Sequence, residues 1–236
     1  MKSFGLILGS SATGKGTRMN QLIQFLNTKF KYDEFEDLDK DGKKFTLGIY
    51  YKELDILFLG KYVTNKQTGI VSWSSMDSIW SKYGGTESTV SRIKKLNHNI
   101  ICEGYDIMDT FRIRPAHMSS DGCKNFFYQL FYYDKNGIQD YMNRVIGRSG
   151  KKPKGTTSFD KNGAVLGWEP KINNDIEENN LNGMCQKYLF DADINIIGKE
   201  YLKFLKLDEL SNEFVEYYKN NKFFKEFKPQ HNGEDW

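Results

Sequence analysis

A glycine-rich segment near the start of the chain constrains the possible folds more than any other feature. It reads Gly-Ser-Ser-Ala-Thr-Gly-Lys-Gly-Thr over residues 9–17 and directly follows an apolar run over residues 4–8. After it, apolar side chains recur with the i, i+3, i+4 spacing of an amphipathic helix, beginning at Met19, Leu22 and Ile23. The order is therefore strand, glycine-rich loop and helix, which is the context that a phosphate-binding loop (P-loop) requires.

The residue types in this loop suit phosphate chemistry. Gly9 and Gly14 allow the backbone to curl so that its N–H groups point inward, and the start of the following helix adds partial positive charge at the same place. Lys15 can reach the terminal phosphates as a point charge. The residues expected to hold a nucleotide are Gly9, Ser10, Ser11, Ala12, Thr13, Gly14, Lys15, Gly16, Thr17 and Arg18.

The residue after the lysine distinguishes this loop from the general P-loop pattern. The general P-loop pattern has Ser or Thr there, whereas this chain has Gly16 followed by Thr17. The run Gly-Lys-Gly-Thr resembles the loop of adenylate kinase and its nucleoside monophosphate kinase relatives. The resemblance implies ATP and Mg²⁺ as cofactors and transfer of a phosphoryl group to a small acceptor. Because the Thr17 hydroxyl is displaced by one residue, Mg²⁺ would be held there through water, or by carboxylates elsewhere.

Composition sets broad limits on the class of protein. The chain has 236 residues and a formal net charge of +3, so bulk charge argues neither for nor against nucleic acid as a partner. Three cysteines without a Cys-x-x-Cys pair support neither a zinc site nor a disulfide framework. A reducing intracellular setting is therefore expected. The chain has no apolar run long enough to span a membrane, so no membrane partner is expected.

Three acidic residues are candidates for contact with Mg²⁺ or with the acceptor. Asp37 and Asp39 follow the first helix, and we place them at the C-terminal end of the second strand, the edge that faces ligands in open α/β sheets. A calcium loop would need Glu where Gly48 stands. A similar Asp-x-Asp in shikimate kinase implies contact with Mg²⁺ and the acceptor hydroxyl, and the alternative is a solvated acidic turn. Glu103 ends an apolar run and resembles a Walker B acid, for Mg²⁺ or as a base, the alternative being a surface acid.

Four arginines are further candidates. Arg112 and Arg114 alternate after the third strand and could bind an acceptor phosphate bidentately, or serve only solubility. Arg144 and Arg148 lie four residues apart on a helix that follows the strand at 126–133. This order resembles the start of the lid in adenylate-kinase-like proteins, which implies that the two arginines neutralise charge on the moving phosphoryl group. The basic segment 147–170 is expected to be that lid, with a solubilising loop as the alternative.

The predicted fold is a single domain over residues 1–236. We expect an α/β P-loop three-layer sandwich with a mostly parallel five-stranded sheet, the last strand over residues 191–198. Residues 43–75 alternate as strands do and are predicted to form a β-rich insertion on the acceptor side. Tyr50 and Trp73 lie in this insertion and are candidates for contact with a base.

The insertion and its surroundings carry a second resemblance. The segments 47–51, 71–77, 84–87 and 102–105 together resemble phage P-loop kinases that phosphorylate 5-hydroxymethyluracil within DNA, a step in making hypermodified thymines. That resemblance implies modified DNA as the acceptor, with the base flipped out of the duplex. Two alternatives stay open, a kinase of free deoxynucleoside monophosphates and a nucleotide-binding module that does not turn over. Nothing in the sequence indicates the oligomeric state.

Overall fold

A central β-sheet positions every candidate residue. The computed structural model describes residues 1–9, 13–64, 71–74, 77–104, 113–119, 122–149 and 164–220, with only the backbone described at 61–64, 71–74, 77–78, 147–149 and 194. The strands are β1 (Ser3–Gly9), β2 (Asp33–Leu38), β3 (Lys44–Tyr51), β4 (Ile56–Leu59), β5 (Lys61–Thr64), β6 (Val71–Ser74), β7 (Asn99–Glu103), β8 (Asn125–Tyr132) and β9 (Asn182–Leu189). The helices are α1 (Lys15–Asn27), α2 (Asp77–Tyr83), α3 (Thr86–Lys95), α4 (Pro115–Met118), α5 (Ile138–Ser149), α6 (Trp168–Glu178), α7 (Ile194–Phe204) and α8 (Ser211–Asn220), with a 3₁₀ turn at Asp208–Leu210.

Seven of the described strands form one sheet, in the order β2-β3-β4-β7-β1-β8-β9. Five neighbouring strands of this sheet are parallel, namely β4, β7, β1, β8 and β9. Strand β3 pairs with β4, and β2 pairs with β3, in antiparallel fashion. The predicted count of five therefore holds only for the parallel block, and the sheet as a whole has two strands more. The remaining pair, β5 and β6, forms a separate antiparallel ribbon.

Both faces of the sheet are covered, which gives a three-layer α/β arrangement. Residues of β1, β4 and β8 that point to one face pack with α2, α3, α4 and α6, and those that point to the other pack with α1, α7 and α8. The strand residues of the α1 face are Ile7, Ile49, Tyr51, Ile56, Phe58, Ile101, Phe127 and Phe131. Such burial on both sides explains why the parallel strands are nearly continuous apolar runs.

The β-rich segment 43–75 differs from the predicted insertion. Its first two strands, β3 and β4, belong to the main sheet, and β4 is one of the parallel strands. All four residues of β4 are buried, so this strand is part of the core and not an added lobe. Among the described strands of this segment, only the β5–β6 ribbon lies outside the main sheet. A turn at residues 52–55 joins β3 to β4 as an antiparallel hairpin.

The last strand also lies elsewhere than predicted. The run 191–198 begins helix α7, because the Asp193 side chain accepts a hydrogen bond from the Asn195 amide at 2.8 Å and caps the helix. The last strand in the described part of the chain is β9, over a polar segment for which no strand is predicted from the sequence. As an edge strand, β9 is only partly buried, so it does not need the apolar composition by which inner strands are recognised.

None of the helices in the described part of the chain is long and apolar enough to cross a membrane.

Candidate active site

The glycine-rich loop joins the central strand β1 to helix α1. Gly14 stands just before the helix with φ 84° and ψ 20°, a left-handed conformation that favours glycine. Gly9 ends the strand so close to β8 that a Cβ there would lie 2.5 Å from the Phe131 carbonyl oxygen. Ser10, Ser11 and Ala12 lie outside the described residues. The two glycines thus serve the strand–loop–helix turn that the motif predicts.

Lys15 is placed at the base of this loop. Its Nζ donates a hydrogen bond to the Gly9 carbonyl oxygen at 2.9 Å, so the side chain folds back over the end of β1. Gly16 is buried and Thr17 is half-buried, both in the first turn of α1. A terminal phosphate at the helix N-terminus would therefore meet the ammonium group and the first amides of the helix together.

Arg18 is buried and binds the protein itself. Its Nη1 donates to the Thr13 carbonyl at 2.8 Å, and its Nη2 donates to the Phe190 and Ala192 carbonyls at 2.7 and 3.3 Å. The guanidinium also lies 4.3 Å from the centre of the Phe131 ring. Arg18 therefore ties the P-loop to the segment after β9, and supports the nucleotide site without pointing its Nη donors at a phosphate.

Arg144 reaches the same place from α5. Its Nη2 would lie 3.3 Å from a Cβ on Gly14, and its guanidinium is 5.2 Å from the centre of the Phe190 ring. Burial, followed by the charge of Arg144, lowers the pKa of Arg18 to about 10. Two guanidinium groups thus lie close together at the start of α1, an arrangement that an anion would stabilise. The side chain of Arg148 is not described.

Glu103 lies on the other side of β1. It ends β7 at the level of Ile7, and the amide of Gly104 donates to the Ile7 carbonyl at 3.2 Å. The Glu103 side chain is 3% exposed. The structure therefore brings Lys15, Arg144 and Glu103 to the carboxyl ends of three adjacent parallel strands and their loops, where ligands bind in open α/β sheets.

Asp37 and Asp39 lie at the carboxyl edge, as predicted, but far from the loop. Their strand β2 is at the end of the sheet, four inter-strand spacings from β1, which is roughly 19 Å at about 4.8 Å per spacing. Asp37 accepts hydrogen bonds from Tyr83 at 2.5 Å and Arg92 at 2.8 Å. Asp39 accepts hydrogen bonds from the backbone amides of residues 41 and 43, and these bonds close the turn between β2 and β3. Both carboxylates have local structural partners, so neither enters the proposed site.

We expect Asp37→Asn to lower stability without lowering activity. Partial burial raises the Asp37 pKa, but hydrogen bonds from Tyr83, the Leu38 amide and Arg92 outweigh this effect and hold the pKa below its ordinary value. The ionised form therefore stabilises the fold above the unfolded-state pKa, and this contribution is lost as the pH falls through the folded-state pKa. Urea unfolding should show a loss of about 1 kcal/mol at pH 7 that shrinks below about pH 4.

The matched control for Asp37 is Glu36→Gln on the same strand. Glu36 makes an exposed pair with Lys44 at 3.4 Å, and such pairs contribute little. We expect its unfolding free energy to stay within about 0.5 kcal/mol of the wild type at every pH. A phosphoryl-transfer rate that fell sharply in Asp37→Asn would restore this carboxylate to the active site.

The Arg114 guanidinium forms an ion pair with a buried carboxylate. Its Nε donates to Asp175 Oδ2 at 2.7 Å and its Nη2 donates to Asp175 Oδ1, a bidentate pair between the start of α4 and α6. The Asp175 side chain is only 5% exposed. The hydrogen bonds that Arg114 donates to Asp175 raise the pKa of Arg114. We therefore leave Arg114 out of the proposed acceptor site, and Arg112 lies outside the described residues.

Arg114→Ala should destabilise the protein by about 3 kcal/mol, because it leaves the buried Asp175 carboxylate without its partner. Chemical unfolding at neutral pH measures this loss. The double change Arg114→Leu with Asp175→Leu should recover much of it, since no buried charge remains. As a control, Lys219→Ala removes an exposed pair with Glu216 and should have almost no effect. Unchanged stability together with weaker acceptor binding would favour the phosphate-binding interpretation instead.

The two aromatic candidates for contact with a base, Tyr50 and Trp73, lie in different parts of the structure. Tyr50 lies at the amino edge of the sheet, opposite the P-loop, because β3 runs antiparallel to β4. Its hydroxyl donates to Asp55 at 3.0 Å and its ring lies 4.7 Å from that of His98. This placement does not support contact with a base. Trp73 lies in the β5–β6 ribbon, where its backbone pairs with Tyr62, and its side chain is not described.

Sequence reasoning missed the residues that support the loop from β8 and β9. The Phe190 ring packs against the Tyr133 ring, with ring centres 4.7 Å apart, and it also contacts the Arg144 guanidinium. Burial raises the pKa of Tyr133 to about 12, against the lowering effect of Arg144 beside it. Tyr133 ends an apolar run, a position shared by many core residues, and Phe190 follows a strand of mixed composition, so the sequence marked neither residue.

Comparisons with known proteins identify the family. A family model described as 5-hmdU DNA kinase 2 matches residues 1–174 of the chain. The protein described as 5-hmdU DNA kinase 2 of Salmonella phage ViI is 33% identical over 153 residues, which cover 62% of this chain and 49% of the relative. The chain thus spans about half the length of the curated relative that it matches.

Likeness to solved structures is weak. A gluconokinase from Sinorhizobium meliloti 1021 aligns with 93% of this chain and 98% of its own, at 10% identity and a TM-score of 0.42. A structure of the PezAT toxin–antitoxin system of Streptococcus pneumoniae aligns with 91% of this chain and 87% of its own, at 13% identity and a TM-score of 0.38. The assignment therefore depends on the sequence match, which spans more than half of the chain and includes the P-loop, Glu103 and Arg144. The chain belongs to the 5-hmdU DNA kinase 2 family.

Proposed function

We propose that this protein transfers the γ-phosphoryl group of ATP to the hydroxymethyl oxygen of 5-hydroxymethyluracil in DNA. The observation that carries the proposal is the family match over a region in which Lys15, Arg144 and Glu103 converge on one P-loop. The curated relative is named for this activity and comes from a phage. We accordingly place the reaction inside an infected cell, where phage DNA is found.

Each side chain has a distinct part in the proposed reaction. Lys15 and the first amides of α1 hold the β- and γ-phosphates. Arg144, with Arg148 four residues further along, stabilises the charge on the transferring group. Glu103 orients the acceptor hydroxyl and accepts its proton. The bond between the γ-phosphorus and the bridging oxygen breaks, a new bond forms to the hydroxymethyl oxygen, and ADP leaves with the electron pair.

The residues beside the loop also suit Mg²⁺. Magnesium is usually bound by one or two protein oxygens together with phosphate oxygens and water. Thr17 supplies a hydroxyl in the first turn of α1, and the buried Glu103 carboxylate next to β1 would hold the ion through water, which leaves it free to accept the proton. When bound with ATP, the ion would neutralise the phosphate charge. Asp37, which the sequence also suggested as a ligand, lies at the far end of the sheet and does not fit this group.

The position of the β5–β6 ribbon supports DNA as the acceptor. Strand β4 ends at Leu59, at the carboxyl edge of the parallel block, and the ribbon begins two residues later. Its second strand β6 lies against α1, the helix that starts at the P-loop. A base flipped out of a duplex could therefore be held between the ribbon and the loop. Trp73 is the proposed stacking residue on this ribbon.

The proposal is tested with purified protein, Mg²⁺ and ATP labelled at the γ-phosphate. Three acceptors are offered separately: duplex DNA containing 5-hydroxymethyluracil, the same duplex with thymine, and free deoxynucleoside monophosphates. Label on the modified duplex alone supports the proposal. Label on a monophosphate would make the protein a nucleotide kinase, and label remaining on ATP in every reaction would favour a module that binds nucleotide without turnover.

A further inference from the structure

One buried polar side chain beneath the P-loop has no evident role. Gln129 lies in β8, between mostly aromatic neighbours, and is fully buried. Its Nε2 faces the Tyr188 hydroxyl of β9, an interaction that opposes the rise that burial causes in the pKa of Tyr188, but within the residues that the structure describes neither Nε2 nor Oε1 reaches full hydrogen-bond geometry. A buried amide oxygen without a donor is costly, so a glutamine at this position needs a compensating interaction.

The position of Gln129 relates it to the loop. It is level with Ile7 on the adjacent strand, two residues before Gly9. Alternate strand residues share one face, so Phe127 and Phe131 flank Gln129 on the α1 side of the sheet. The Tyr201 ring of α7 meets Phe127 at 5.3 Å, and the Arg18 guanidinium stands 4.3 Å from the centre of the Phe131 ring.

The side chains that contact Phe127 and Phe131, namely Tyr201 and Arg18, also carry buried polar atoms without hydrogen bonds to the described residues. In the described part of the chain, the Tyr201 hydroxyl and Arg18 Nε are also buried without a hydrogen-bond partner. Burial raises the pKa of Tyr201, while the positive charge of Arg18 lowers it, which shows that the two side chains are near each other. Among the described residues, buried polar groups without full hydrogen bonds therefore occur on three neighbouring side chains of the α1 face, and a buried water typically makes two to four such bonds.

We propose that Gln129 is a positioning residue of the nucleotide site. Together with the Tyr201 hydroxyl and Arg18 Nε, it binds ordered water beneath the P-loop. This water fixes the Arg18 side chain, whose other donors hold the carbonyls of Thr13 in the loop and of Phe190 and Ala192 after β9. The inference rests on the proposed binding of ATP by this loop, and it is independent of the acceptor.

Two substitutions and one control test the role. Gln129→Met keeps the length of the side chain and removes both polar atoms, and Tyr201→Phe removes only the hydroxyl. Binding of a non-hydrolysable ATP analogue with Mg²⁺, measured by calorimetry, should weaken about tenfold in the first variant and about threefold in the second. Tyr128→Phe is the control, because that hydroxyl is buried on the opposite face and donates to the Ile113 carbonyl. It should lower the melting temperature and leave binding unchanged.

Specific outcomes would overturn the inference. Wild-type affinity in Gln129→Met with a raised melting temperature would make Gln129 a packing defect and nothing more. If that variant does not fold, unchanged affinity in Tyr201→Phe has the same consequence. A crystal structure with ordered water among the three groups supports the inference, and apolar contact there refutes it. Since the readout is nucleotide binding, a protein that binds the analogue but does not phosphorylate modified DNA would refute the proposed acceptor alone.

Discussion

Replacing Lys15 with Met should reduce phosphoryl transfer about 10³-fold or more while leaving the protein folded. The ammonium group is held at the base of the loop by the Gly9 carbonyl, at 2.9 Å, next to the N-terminus of α1. It is therefore placed to meet the charge that develops on the terminal phosphate, without reorganisation during the reaction. Removing one such preorganised donor typically costs 10²–10³ in rate, and the loss of a full charge costs more.

The measurement for Lys15→Met is the initial rate of label transfer to DNA containing 5-hydroxymethyluracil, at saturating ATP. The matched control is Lys29→Met, beyond the other end of α1, which removes a cation that pairs with Glu213. We expect that control to keep its transfer rate, because its charge lies at the opposite end of the helix from the phosphates. Equal melting temperatures for the two variants would exclude unfolding as the cause. A rate in Lys15→Met within tenfold of the wild type would remove the P-loop from the chemistry.

The P-loop could be predicted from the sequence because all its parts are local. The turn, the lysine and the start of α1 lie within residues 9–17, so their spacing along the chain fixes their spacing in space. Glu103 and Arg144 were also predicted, each from an apolar run or a helix that resembles a known element. Their meeting at the loop follows from parallel strands whose carboxyl ends share one edge.

Asp37 shows where this reasoning stops. Its placement at the end of a strand was predicted, and the structure agrees. Its distance from the loop depends on the order of strands in the sheet, which is set by packing between distant segments. Arg114 shows the same limit for side chains. Its partner Asp175 is 61 residues away in the sequence, and nothing near either residue indicates that they form a pair.

The helix that replaces the last predicted strand, over residues 191–198, has a different cause. Ile194, Ile196 and Ile197 are β-branched and suggest a strand by propensity. The Asp193 cap and the apolar face of α7 that includes Ile197 and Tyr201 outweigh that propensity. Local preference is a weak guide wherever tertiary packing decides, and this error also hid Tyr201, which contributes to the buried polar group beneath the loop.

Replacing Arg144 with Ala should lower the maximal rate of transfer about 10³-fold, with a much smaller effect on ATP binding. The guanidinium stands beside Gly14 and is steadied by the ring of Phe190, so it is placed to meet negative charge at the loop. An arginine that stabilises the transferring phosphoryl group acts mainly in the transition state. Its loss should therefore reduce kcat more than it raises the KM for ATP. Arg144→Lys should recover only part of the rate, because an ammonium lacks the planar fork of donors.

Arg92→Ala is the matched control for Arg144. Arg92 also lies near an aromatic ring, 5.2 Å from the centre of Tyr83, and pairs with Asp37 at the far end of the sheet. Its removal should lower stability slightly and leave kcat unchanged. Steady-state kinetics with modified duplex DNA, at varied ATP, separates the two effects. If Arg144→Ala raised the KM for ATP without lowering kcat, the residue would bind ground-state nucleotide, and other side chains would have to stabilise the charge on the transferring phosphoryl group.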